Sequence, residues 1–197
     1  MIKEILQLDD SETTLRATCR ELTQQDILSE EIQHLITEMK ETMRAAPGVG
    51  LAAPQIGVNI KLAVIEDPEE RLKLLPADVL KDRGRVPVNF HVIINPAIIK
   101  KHGKTKHFFE GCLSVQGKVR VTPRHECVTV ACLDEHGREK IIEASGWYAR
   151  ILQHEIDHLN GALYIDVADE KTEMLVDEVY KNTWMNASSE QIASLCK

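Results

Sequence analysis

No apolar run in this 197-residue chain is long enough to cross a bilayer, which takes about 20 consecutive apolar residues. A helical membrane protein is therefore not expected. A basic surplus is also missing. The formal charge is −7 at pH 7, whereas a general nucleic-acid binder needs a positive surface, so no stable nucleic-acid complex is expected. The opening Met1-Ile2-Lys3-Glu4-Ile5-Leu6 lacks the long apolar stretch of a secretory signal. Asp9, Asp10 and Glu12 follow early, where a transit peptide is poor in acids. The expected setting is cytoplasmic. The five cysteines (Cys19, Cys112, Cys127, Cys132 and Cys196) are odd in number and lack framework spacing. That fits a reducing compartment, with most thiols serving as small core side chains. There is no internal repeat, low-complexity stretch or linker. The chain reads as one domain, 1–197, with 171–197 as a peripheral C-terminal segment.

Periodicity places the main elements. Ser29 to Ala45 reads as an amphipathic helix, because Ile32, Leu35, Ile36, Met39 and Met43 recur at helical spacing. Ser29 is its expected N-cap, and Pro47-Gly48 ends it. Lys61 to Ile65 and His91 to Ile94 read as strands, the second stopped by Asn95-Pro96. The charged stretch Glu66 to Val88 between them reads as an exposed excursion with a short helix from Pro76 to Lys81. Cys127 to Leu133 and Glu139 to Ala144 flank Asp134-Glu135-His136-Gly137, a hairpin signal. Trp147 to Asn160 is a second helix, stopped by Gly161. Its apolar residues Ile151, Leu152, Ile156 and Leu159 spread around the circumference, so it should be buried. Met174, Leu175, Val179 and Tyr180 suggest a peripheral helix near the end.

The buried helix carries the chemistry. Gln153-His154-Glu155-Ile156-Asp157-His158 contains H-E-x-x-H. Residues at i and i+4 share a helix face, roughly 5–6 Å apart at Cβ, so the two imidazoles can converge on one ion. Glu155, one step round, can reach a metal-bound water without ligating the metal. Two neutral nitrogens and a general base are the minimum kit for metal-assisted hydrolysis. The third ligand is open at this level. One metalloprotease class adds a histidine at the position of Tyr164; another uses a downstream glutamate, for which Glu173 and Glu178 stand available. Alternatively Cys112, in Glu110-Gly111-Cys112-Leu113-Ser114, supplies a thiolate beside a glycine that permits close backbone approach. A third segment, Gly48-Val49-Gly50-Leu51-Ala52-Ala53-Pro54-Gln55-Ile56-Gly57, is rich in small residues. It lacks the Lys-Ser/Thr ending of a phosphate loop. Beside a metal, the Gln55 amide could donate to a carbonyl oxygen gathering charge.

Gly48 to Gln55, Glu110 to Ser114 and Gln153 to His158, in that order, together resemble the peptide deformylase family. The likeness runs from the helix before Pro47 to about Asp166. It implies an α+β fold with small antiparallel or mixed sheets packed around a central helix that carries the HEIDH motif. It also implies an enzyme that removes the formyl group from the N-terminal formylmethionine of nascent chains, by attack of a metal-bound water activated by Glu155. Cys112, His154 and His158 would hold one divalent metal, commonly Fe²⁺, with Zn²⁺, Ni²⁺ or Co²⁺ as substitutes. Gln55 and the Leu113 N–H would stabilise the oxyanion. Val49, Gly50, Phe108, Gly111, Trp147 and Ile151 would line the substrate pocket, with Arg150 at its mouth. Partners would be formylmethionyl peptides, with a transient ribosome contact conceivable through the C-terminal segment.

Two departures stand out. The family has an arginine five residues after the serine of its second segment. Here that position is Val119, flanked by Lys118 and Arg120, and a shift of one residue would let Arg120 take over. The short proline-containing signature near the family's N-terminus is loosened to Asp9-Asp10-Ser11-Glu12-Thr13-Thr14-Leu15-Arg16. Neither change touches the expected ligands or base. Two competing functions remain: a metalloprotease on the same helix, and a non-catalytic binder of formylated chains, which would have no need for Glu155.

Overall fold

The structure, a computed structural model, describes residues 1–197. Three helices come first: α1 (Leu8–Leu15), α2 (Gln24–Ile27) and α3 (Glu30–Ala45). Strand β1 (Gly50–Ala52), a 3-10 turn (Ala53–Ile56) and β2 (Leu62–Asp67) follow, then α4 (Glu69–Leu72) and α5 (Ala77–Arg83). Two long strands, β3 (Val88–Cys112) and β4 (Val115–Leu133), lead into β5 (Glu139–Ser145) and α6 (Gly146–Leu159). The chain ends with α7 (Tyr164–Val167), β6 (Leu175–Val176), α8 (Asp177–Thr183) and α9 (Ser189–Ala193).

The strands form a single sheet in the order β1-β2-β3-β4-β5, with β6 added to β4, and every ladder is antiparallel. The architecture is mixed α/β. One continuous, bulged sheet takes the place of the several small sheets expected. Its middle is covered on both faces. Leu62, Val64, Val92 and Ile94 pack with Leu35, Ile36, Met39 and Met43 of α3. Ala63, Ile65 and Ile93, one residue out of phase, pack with Leu152, Ile156 and Leu159 of α6. A strand buried on both faces needs apolar residues at every position rather than alternation, which explains the run Leu62-Ala63-Val64-Ile65.

Ser29 caps α3, its Oγ accepting from the Ile32 N–H, a bond worth about 1 kcal/mol. The hairpin turn is closed by Asp134, whose Oδ1 accepts from the His136 and Arg138 N–H groups. Beyond α6, Gly161 adopts φ 78°, and a Cβ there would lie 2.3 Å from the Arg16 carbonyl oxygen. Only glycine ends this helix against the N-terminal segment.

Two expectations are corrected. β3 does not stop at Asn95-Pro96. Asn95 takes φ 48° at a register shift, and its side chain both accepts from the Leu22 N–H and donates to the Leu22 carbonyl. The strand bends there and continues to Cys112. The excursion from Glu66 to Val88 is not merely exposed either. Buried Asp67 receives two hydrogen bonds from Arg85, at 2.7 and 3.0 Å, and Leu72 and Val79 are buried.

Candidate metal centre and active site

Two elements distant in sequence bring the donors together. The C-terminal end of β3 presents Cys112 at the tight turn into β4, and α6 presents His154 and His158 one turn apart. Their ligating atoms all lie within 4.8 Å of one another. Cys112 Sγ sits 3.2 Å from His158 Nε2, and the two imidazole rings are 5.0 Å apart between centroids. The alternative ligands are elsewhere. Tyr164 stacks on the His154 ring and donates its hydroxyl to the Lys118 carbonyl. Glu173 and Glu178 are exposed.

The donor cluster fits a divalent cation. Burial and the neighbouring His154 hold His158 well below the ordinary histidine value, so its imidazole is neutral with a lone pair to give. Burial alone would lower His154 too, but hydrogen bonds to Cys112 and Glu110 outweigh it and hold that residue well above its ordinary value. At His154 the surroundings therefore favour positive charge. A thiolate with two imidazoles is a donor set suited to borderline metals such as Zn²⁺ or Fe²⁺.

Glu110 organises these surroundings. It is 6 % exposed and accepts from His154 Nδ1 at 3.1 Å, which leaves Nε2 free to ligate an ion. Arg124 donates to it twice, at 3.0 Å each, and Arg150 donates once more. Burial would raise this carboxyl, but the two guanidinium groups hold it far below the usual carboxylate range. Arg124 also pairs with Asp157 on α6. Gln153 fastens the same helix to β4, accepting from the His125 N–H at 3.1 Å and donating to the His125 carbonyl at 2.9 Å.

Glu155 lies on the cleft side of α6, 4 % exposed, and its Oε2 has no hydrogen-bond partner. Burial pushes its carboxyl up to about 7. It fits against β1 because Gly50 has no side chain; a Cβ there would come 2.1 Å from Glu155 Oε1. Gln55 is buried, its Oε1 accepting from the Ala52 N–H at 2.9 Å. This fixes Nε2 toward Ser114 Oγ at 3.1 Å and Cys112 Sγ at 3.5 Å. The Leu113 N–H makes no hydrogen bond within the protein. The turn that carries it is held from the N-terminal segment, with Gln7 Nε2 donating to the Leu113 carbonyl and the Leu8 N–H to the Ser114 carbonyl.

Over residues 2–174 the sequence matches the family model for polypeptide deformylase. The chain belongs to the polypeptide deformylase family. Among curated deformylases it is 48% identical over 165 residues to peptide deformylase 1A, chloroplastic, of Solanum lycopersicum, covering 84% of this chain and 60% of that protein. It is 39% identical over 171 residues to peptide deformylase of Chloroflexus aurantiacus, covering 84% and 86%. The chain thus spans about 60% of the length of the tomato relative and 61% of a similar Arabidopsis thaliana one. Among solved structures it resembles a Synechococcus elongatus peptide deformylase in complex with actinonin. The TM-score is 0.70 with 36% identity, covering 85% of this chain and 79% of that one. It also resembles a Met-Ala-Ser-bound class I type b deformylase from Acinetobacter baumannii, with TM-score 0.73 and 28% identity, covering 85% and 98%.

A cleft of about 450 Å³ opens beside Cys112 and His154 in this deformylase fold. Val49, Gly50, Gly111, Trp147 and Ile151 all line it. Phe108 does not, and Phe109 takes its place. Successive side chains on a strand face opposite ways, so Phe108 turns under α6, edge-on to Trp147 at 5.8 Å. Arg150 reaches the cleft wall but is 4 % exposed. It holds Glu110 and the Thr122 and Lys106 carbonyls instead of standing at the mouth. Arg120 does not replace the missing family arginine. It donates to the Thr172 and Glu170 carbonyls, while Val119 faces the cleft.

Sequence reasoning assigned no role to Glu110, Arg124, Gln153, Ser114 or Gln7. Glu110, Ser114 and Gln153 lie inside the motifs themselves, within two residues of Cys112 or His154, and that place was the available signal. Arg124 and Gln7 act across the fold, and nothing near them in sequence marks them.

Two consequences can be measured. Glu110→Gln leaves two buried guanidinium groups short of a partner and should cost about 3–5 kcal/mol of stability. The depressed Glu110 carboxyl contributes stability that is complete above its unfolded value of about 4.3 and is lost as pH falls through the lower folded value. Urea midpoints taken below about pH 5 should therefore fall more steeply for wild type than for the variant; parallel slopes would contradict the ion-pair assignment. Gly50→Ala should push Glu155 aside, and turnover should drop at least tenfold while bound metal stays at the wild-type level. Unaltered turnover would show that activity does not depend on this close approach of Glu155 to Gly50.

Proposed function

We propose that the chain hydrolyses the N-formyl group from formylmethionine at the start of newly made polypeptides, releasing formate and a free amine. The observation that carries this reading is the convergence of Cys112, His154 and His158 beside a buried, unpartnered Glu155 in a deformylase-family chain. Cys112 and the two histidines hold one divalent ion, for which Fe²⁺ is our assignment, with Zn²⁺, Ni²⁺ or Co²⁺ as substitutes. When bound, that ion supplies Lewis acidity toward the carbonyl and the attacking water.

The protein groups divide the remaining work. Glu155 Oε2, free of other partners, accepts a proton from water as its oxygen attacks the formyl carbon. An acidity near neutrality suits a group that must take and return a proton. As the C–N bond breaks, Glu155 gives the proton to the leaving nitrogen. The carbonyl oxygen gains charge meanwhile and is met by the Gln55 amide and the Leu113 N–H. The Met side chain enters the apolar part of the cleft near Val49 and Ile151. The Met-Ala-Ser bound to the Acinetobacter baumannii relative is a peptide of the kind such a reaction yields.

Metal-loaded protein should release formate from a formyl-Met-Ala-Ser peptide and leave an unformylated peptide uncut. Internal cleavage without formate would move the assignment to a metalloprotease. Binding of the formylated peptide without release would make the chain a binder. Gln55→Ala should lower kcat by about 10²–10³, the scale of one lost oxyanion donor. A kcat within twofold of wild type would remove Gln55 from the mechanism.

A further inference from the structure

The family match ends at residue 174, yet the chain beyond it builds one wall of the catalytic cleft. β6 pairs with β4, Leu175 lying opposite Val119 and Val176 opposite Lys118. From there the chain passes into α8, where Tyr180 meets the Phe109 ring at 5.3 Å. Trp184 meets the same ring at 6.0 Å. The segment is then fastened to the far side of the cleft. Arg83 donates to the Met185 carbonyl at 2.7 Å, and Ser189 donates to Asp82 through both its N–H and its hydroxyl, at 2.6 Å each. Ile192 is 1 % exposed against β3, and Cys196 comes beside His107 and Asp169. This is a docked layer, not the peripheral appendage its polar composition suggests.

Asp177, Tyr180, Lys181 and Met185 line the same cleft as Cys112, His154 and Glu155. Val119, small and apolar where the family carries arginine, lines the same cleft between Gly111 and that layer. The reacting end of a substrate is placed at Glu155, and the residues following formylmethionine run along the cleft of which this layer is one wall. We propose that the segment after residue 174 forms a subsite for those following residues. Tyr180 and Met185 contact an apolar side chain, and Lys181 at the rim biases the subsite toward acidic ones. Lys181 is exposed and only loosely paired with Asp177, at 3.9 Å, so its charge is available to a ligand. This inference rests on the deformylase reading.

The test compares formyl-Met-Ala with formyl-Met-Ala-Phe, and formyl-Met-Ala-Asp with formyl-Met-Ala-Lys, on full-length metal-loaded protein. Tyr180→Ala should raise KM for the Phe tripeptide about tenfold, the scale of one lost apolar contact in a pocket, and by a smaller factor for the dipeptide. Tyr180→Phe, which retains the ring, should restore the wild-type KM. Lys181→Glu is exposed and poses no threat to folding. It should shift the Asp-over-Lys preference by about two- to fivefold toward Lys, the range of a solvated charge pair. Equal loss on both peptide lengths for Tyr180→Ala, or an unaltered preference for Lys181→Glu, overturns the subsite while leaving deformylation standing. Failure of wild type to release formate from any of the peptides overturns both.

Discussion

Replacing Glu155 with glutamine should leave the metal content unchanged and lower kcat by about 10²- to 10⁴-fold, the usual contribution of a positioned general acid–base group. Glutamine is nearly the same shape, so the packing over Gly50 survives. It cannot take a proton from water, and that loss alone is what kcat reports. The same substitution has a second effect with its own sign. Burial pushes the Glu155 carboxyl up to about 7, against about 4.3 in an unfolded chain. Relative to the variant, the wild-type residue favours folding fully below about pH 4.3, and that benefit is lost as pH rises through about 7. Between those limits the swing is roughly 4 kcal/mol. Metal-free Glu155→Gln should thus gain on metal-free wild type as the pH is raised from 5 to 8, read as the difference in Tm. Metal-loaded Glu155→Gln with near-wild-type formate release would end the general-base assignment. A Tm difference that does not change with pH would mean that the carboxylate is better solvated than its burial implies.

The parts of the fold that were legible are those where one local pattern decides. The helix α3 follows from apolar spacing and a serine cap, and the hairpin at Asp134 to Gly137 from its turn residues. The spread of apolar residues around α6 marked it as buried before any partner was known. What could not be read depends on contacts between distant segments. Asn95-Pro96 looks like the end of a strand, and becomes a bend within one only because Leu22 supplies both hydrogen-bond partners for the Asn95 amide. Phe108 and Phe109 differ by one residue and so by a whole face of β3. Either suits a pocket by composition, and the phase of the strand decides between them. Arg150, one turn before His154, is expected at the pocket mouth. Here a buried Glu110 draws it inward. The last segment reads as peripheral because few of its residues are apolar, yet Leu175, Tyr180, Trp184 and Ile192 suffice to dock it on Phe109 and Val119. In the candidate site, residue types with a single chemical use were the readable ones. The supporting Glu110–Arg124–Arg150 cluster uses residues common on any surface, and only burial reveals its purpose.

Cys112→Ala should cost the protein its metal as well as its activity, and in this it should differ from Glu155→Gln. Cys112 offers the one sulfur of the cluster and the only candidate donor from outside α6. Without it, His154 and His158 remain on one helix face, where a pair of imidazoles binds an exchangeable ion but does not enclose it. The loss of affinity should exceed the roughly 10- to 100-fold that removing a supporting hydrogen-bond partner of a ligand costs. Wild type and Cys112→Ala would be dialysed against the same graded series of chelator concentrations, and metal per chain measured at each step. The variant should empty at a far lower concentration, with formate release falling in parallel. Cys112→Ser should behave almost as badly, because a hydroxyl keeps its proton where a thiol gives it up. The fold should persist, since Cys112 is only partly buried at a turn that Gln7 and Leu8 fasten independently. Far-UV circular dichroism like that of wild type, in a protein without metal or activity, would separate a lost ligand from a lost structure. The two buried thiols offer no rescue. Cys19 and Cys132 are buried, and desolvation pushes both up to about 11, so they stay protonated at neutral pH. A Cys112→Ala protein that retained a full equivalent of metal through the same dialysis would show that the third donor lies elsewhere. The roles assigned to Gln55, Leu113 and Glu155 would then lose the geometry on which they depend.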